Sequence, residues 1–116
     1  MSMVRAVEAH EVPGRPPLRV AAGQRVQAGE RDTTWPAFVL VSAEDGSGWV
    51  PGRHIDTSSQ PPVMLASYDT TELRTNVGEL LTVLDHDELS GWTWAANSLG
   101  QEGWVPDNTI EPVAGT

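Results

Sequence analysis

Apolar residues in this chain come in short bursts separated by Gly, Pro and small polar clusters. No window keeps the i, i+3, i+4, i+7 spacing of an amphipathic helix over three turns, so the bursts predict strands. In the second half these are Val63–Ser67, Leu80–Leu84, Trp92–Ala96, Gly103–Val105 and Ile110–Val113, bounded by Gly78, Gly91, Gly100 and Pro106. Val4–Val7, Gln24–Ala28, Phe38–Val41, Gly48–Val50 and His54–Asp56 correspond to them in the first half. Successive side chains of a strand point to opposite faces, so Trp92 and Trp94 share one face and Thr93 and Ala95 the other. With the small Ala95 inward, both rings face outward.

The two halves repeat. Gly48-Trp49-Val50-Pro51 recurs as Gly103-Trp104-Val105-Pro106, 55 residues on. The same offset relates Leu18 to Leu73, Arg19 to Arg74, Gly23 to Gly78 and Ile55 to Ile110. Between the repeats, Asp56-Thr57-Ser58-Ser59-Gln60-Pro61-Pro62 reads as a short polar linker. The expected organisation is one unit over 1–57, a linker over 58–62 and a second unit over 63–116. Five short strands in so few residues bury one side by closing into a small barrel or orthogonal sandwich. The expected fold class is therefore all-β, with two small five-stranded barrels in tandem. A domain of about 55 residues buries only about 60% of its unfolded surface, and five Trp residues add apolar area where it is scarce.

Composition narrows the function classes. The 116 residues include no cysteine, which excludes disulfides and thiolate metal sites. The net charge is −9, unevenly placed: residues 1–62 hold seven acids and six arginines, residues 63–116 nine acids and only Arg74. An acidic second half lacks the cations that neutralise phosphates, so nucleic acid is not an expected partner. No apolar run reaches the ~18 residues of a membrane span, and MSMVRAVEAHEV has no apolar core of a signal peptide. A cytoplasmic protein without a membrane partner is expected. No nucleophile-elbow, zincin, P-loop or dinucleotide fingerprint is present, so neither an enzyme nor a cofactor is expected. Asp85, His86, Asp87 and Glu88 read as a solvated acidic loop before Trp92.

One ordered set of motifs points to a family. Ala66-Ser67-Tyr68-Asp69, Glu72-Leu73, Gly78-Glu79, Val83-Leu84, Gly91-Trp92, Ala95, Gly103-Trp104-Val105-Pro106 and Asn108 together resemble a Src-homology-3 domain over 63–113. The first repeat resembles it over 4–56. The GWVP closure and Asp32-Thr33-Thr34-Trp35-Pro36 are closer to bacterial variants.

The resemblance implies a non-catalytic adaptor that takes an extended or proline-containing peptide across an aromatic groove. By that resemblance Tyr68, Trp92, Pro106 and Asn108 would line the groove of the second unit, with Trp104 in the aromatic strip. Thr70 and Thr109 stand at two groove-tyrosine positions. In the first unit Phe38 would take the groove-Trp place, with Trp35, Trp49, Pro51 and Arg53 beside it. Glu8, His10 and His54 would then occupy tyrosine positions, and His10 and His54 would be neighbours. Two further readings stand beside this one. The aromatic strip is buried between the barrels while the acidic face of residues 69–88 binds a basic partner, or His10 and His54 build a small metal-binding or enzymatic site. Pro13-Gly14-Arg15-Pro16-Pro17-Leu18 reads as a Pro/Gly-rich loop tip.

Overall fold

The computed structural model describes residues 2–113 except Pro13, Arg15 and Asp45. Among these the fold is all-β, without an α-helix, and no helix is long and apolar enough to cross a membrane. The strands are β1 (Met3–Ala6), β2 (Arg19–Val20), β3 (Gln27–Arg31), β4 (Phe38–Ala43), β5 (Gly46–Pro51), β6 (Ile55–Asp56), β7 (Val63–Met64), β8 (Tyr68–Asp69), β9 (Leu80–Asp87), β10 (Trp92–Ala96), β11 (Glu102–Pro106) and β12 (Ile110–Pro112). Single 3-10 turns, Gly52–His54 and Asp107–Thr109, follow the two GWVP strands.

The chain forms two compact units, and they do not follow the repeat boundaries. One is continuous, Arg15–Thr70; the other is split, Met1–Gly14 with Thr71–Thr116. The expected division at 58–62 is replaced by crossings near residues 14 and 70. The reason is strand pairing. β1, from the first repeat, lies in a five-stranded sheet of order β11-β10-β9-β1-β12, otherwise built from the second repeat. Its ladders pair Arg5 with Glu111 and with Leu80. Conversely, β7 and β8 pair with β6 and β2 in the continuous unit, Ile55 opposite Met64 and Val20 opposite Tyr68. The two repeats have exchanged their first strands. Residues 58–62 are no inter-unit linker but the turn of the β6–β7 hairpin, where the Val26 N–H donates to the Pro62 carbonyl (2.9 Å).

Each unit closes over its own apolar cluster. In the continuous unit this is Leu18, Val20, Val26, Val39, Val41, Val50, Ile55 and Met64. In the split unit it is Val4, Leu73, Leu81, Ala95 and Val105, with Val83 and Ile110 packed against it. The described strands give linear sheets rather than one closed ring.

The repeated glycine of the GWVP strand has a steric cause in both units. A Cβ at Gly103 would lie 2.7 Å from the Glu72 carbonyl carbon and the Leu73 nitrogen. There the chain crosses β11, with the Leu73 N–H donating to the Trp104 carbonyl (3.0 Å) and the Trp104 N–H to that of Thr71 (2.9 Å). At Gly48 the covering group is the Thr70 side chain, 2.9 Å away at Oγ1. That hydroxyl accepts from the Leu18 N–H (2.7 Å) and donates to the Leu18 carbonyl (2.9 Å).

Candidate functional site

Alternation on β10 places Thr93 and Ala95 inward, 4% and 0% exposed, and sends Trp92 and Trp94 to the opposite face. Trp94 meets Trp104, its partner across the β10–β11 ladder, edge to face with ring centroids 5.3 Å apart. Its indole N–H donates to Glu102 Oε1 (3.0 Å). Trp92 is buried at 9% exposure and meets the His10 ring edge-on at 5.5 Å. His10 Nε2 lies 2.9 Å from Glu72 Oε1. His10 itself is held by a backbone bridge to Thr75, each N–H donating to the other's carbonyl at 3.1 Å.

The 3-10 turn after β11 carries the remaining groove positions of this unit. Pro106 is buried, Asn108 exposed and Thr109 buried. The Thr109 hydroxyl donates to the Pro106 carbonyl (2.7 Å), so this replacement for a tyrosine closes the turn rather than adding surface. Asp107 anchors the turn: it accepts from the Thr93 hydroxyl (2.7 Å) and lies 2.7 Å from His86 Nε2. The hydrogen bond to Asp107 raises the His86 pKa above its ordinary value, partly opposed by desolvation and reinforced by the charges of Asp107, Glu88 and Asp87. His86 and its neighbours are not a loop. β9 extends to Asp87 because His86 pairs with Thr93 across the hairpin, and a register shift at Trp94/Ala95 accommodates the extra length.

In the continuous unit the corresponding surface is made by Tyr68 and His54, their rings tilted at 5.8 Å. Tyr68 comes from the second repeat and His54 from the first. Phe38 and Pro51 are opposite each other on β4 and β5, and both are buried. Tyr68 and His54 are half-buried. Trp35 is half-buried in the turn before β4, and its carbonyl accepts the Phe38 N–H (2.9 Å). Trp49 pairs with Leu40 across the β4–β5 ladder. Arg53 is exposed on the 3-10 turn. Asp69 pairs with Arg19 (3.0 Å). Glu72 holds His10.

Two expectations are corrected. His10 and His54 fall in different units: strand exchange puts His10 beside Trp92 in the split unit and His54 beside Tyr68 in the continuous one. Among the described residues no cluster of three or more His, Asp or Glu is placed to hold a metal. The second correction is of register. His10 bridges Thr75 and Tyr68 pairs with Val20, and Thr75 stands 55 residues after Val20. His10, not Glu8, is therefore the positional equivalent of Tyr68. The first strands are offset by 58 residues where the rest of the repeat is offset by 55. The three extra residues lie in the first repeat after its first strand: His10 and Leu18 are eight apart where Tyr68 and Leu73 are five apart.

Residues 65–113 match the family model of the variant SH3 domain. The match is to the second repeat as a linear sequence, so it spans both compact units: residues 65–70 belong to the continuous one. No curated protein matches the chain. A variant SH3 domain is thus found at residues 65–113 of an all-β chain, the type of domain that serves protein interaction rather than catalysis.

Proposed function

We propose that this chain is a non-catalytic adaptor built from two SH3-like modules of bacterial type, each presenting a peptide groove composed from both repeats. One groove comprises His10, Trp92, Pro106 and Asn108; the other comprises Tyr68, His54, Phe38, Pro51 and Trp35. The observation that carries this reading is the pairing of family groove positions across the exchanged strands, His10 on Trp92 and Tyr68 on His54. Paired rings in a unit that also carries a buried proline suit an extended, proline-containing segment, whose preformed polyproline helix loses little entropy on docking. Asn108 and Arg53 are exposed side chains on the 3-10 turns and would hydrogen-bond such a backbone. Asp69 and Glu72 have internal partners, so affinity comes from apolar stacking rather than from reading a ligand's arginine.

Titration of a proline-rich peptide against intrinsic tryptophan fluorescence tests this. Trp92→Ala is expected to weaken binding at the split unit at least tenfold, as truncation of an aromatic anchor costs about 2 kcal/mol or more. Tyr68→Ala weakens the second site alone. Unchanged binding in both variants would remove the groove assignment.

A further inference from the structure

The outward face of the β10–β11 hairpin does not end at Trp92. Two residues on, Trp94 and its ladder partner Trp104 form a second aromatic pair, edge to face at 5.3 Å with planes at 74°. Both rings are half-buried, so each keeps part of its surface in solvent. Side chains directly opposed in a ladder share a face, and on its other side Trp94 is opposed by Asp85 of β9. Glu102, two residues before Trp104 on β11, reaches Trp94: its Oε1 accepts the indole N–H (3.0 Å). Asp85 and Glu102 are both exposed. The ring pair is thus flanked by two carboxylates.

That combination favours a cation. A ring face attracts positive charge, most strongly in Trp. Each carboxylate keeps acceptor capacity beyond the hydrogen bond it accepts here, from the His86 N–H at Asp85 (2.9 Å) and from the Trp94 indole at Glu102. The unit's own arginines lie elsewhere. Arg74 pairs with Glu11 (2.9 Å), and Arg5 stands on β1 between Leu80 and Glu111. Ten carboxylates against those two arginines leave the split unit at −8 with histidines neutral, a field that draws in a basic partner. Glu72, at the Trp92 end of the face, is engaged by His10, so the acids open to a ligand's cation are those at the Trp94 end.

We infer that Trp94, Trp104, Glu102 and Asp85 form a subsite for an arginine side chain of a peptide ligand. A guanidinium is flat, stacks on an indole face and donates in a fork to a carboxylate, which matches this set of groups. The position of the arginine within the ligand rests on the groove reading. Trp92 and Trp94 are two strand residues, about 7 Å, apart, a distance spanned by about two residues of polyproline helix. The subsite itself stands on its own four residues.

N-acetylargininamide and its neutral citrulline analogue, titrated into the isotope-labelled full chain and followed at the indole N–H resonances, test this apart from the groove. The arginine compound is expected to shift the Trp94 and Trp104 signals, with an affinity about two- to fivefold above that of the citrulline compound. Glu102→Gln keeps an oxygen acceptor for the Trp94 indole but removes the charge, and should diminish that preference. Equal affinity for the two compounds in the wild type, or an undiminished preference in Glu102→Gln, would overturn the inference. A proline-rich peptide without charged residues reports on the groove through the Trp92 signal. If it leaves Trp92 unmoved while the arginine compound still shifts Trp94 and Trp104, the groove assignment fails and the arginine subsite stands.

Discussion

Gly48 and Gly103 sit at equivalent places, but the groups above them differ. Over Gly103 lies backbone, which cannot turn aside; over Gly48 lies a threonine side chain. Gly103→Ala should therefore destabilise the protein by about 2–3 kcal/mol through overpacking, and Gly48→Ala by less; urea unfolding of the two variants measures the difference. Sequence showed that both glycines recur but not why, because the covering residues 70–73 are distant along the chain. His86 offers a second single-residue test. Its hydrogen bond to Asp107 raises its folded-state pKa above 6.5, so its contribution is fully present just below pH 6.5 and is lost as pH rises through the raised value. Thermal melts of wild type and His86→Gln should differ most on the acidic side and converge toward alkaline pH. The gap should be small, because the ring is 42% exposed and solvent screens the pair.

At the scale of elements, the long apolar strands were legible: the bounds of β4, β5, β10 and β11 fall within two residues of the predicted runs. β2 and β8 were not, because two-residue strands with one arginine and one aspartate carry no periodicity. β3 fell later than expected because Gln27–Arg31 is largely exposed and its polar side chains hide a strand held by its neighbour β4. Ala6 on β1 and Met64 on β7 stand at equivalent buried places but differ in size, which makes a reciprocal prediction. Ala6→Met should cost about 1–3 kcal/mol by overpacking the split unit. Met64→Ala should cost about 2–5 kcal/mol by opening a cavity in the continuous one. Amide exchange should then report faster opening of β9 to β12 in the first variant, and of β4 to β6 in the second.

At the scale of the whole molecule, the repeat and the family resemblance were readable, but the partition of the chain was not. Repetition specifies two similar strands and two similar slots; it does not say which strand enters which slot. The two slots hold side chains of different size, Ala6 opposite Ile110 and Met64 opposite Ile55, both buried. Strand exchange leaves the charge asymmetry in place: the split unit holds ten carboxylates against Arg5 and Arg74, hence −8 with histidines neutral. It also makes each groove a product of both repeats, which is why His10 belongs with Trp92 and Tyr68 with His54.

Cross-strand backbone nuclear Overhauser effects in the full-length chain test that exchange most directly. Contacts of Ala6 with Ile110 and of Met64 with Ile55 are the predicted result; contacts of Ala6 with Ile55 and of Met64 with Ile110, each repeat closing on its own first strand, would contradict it.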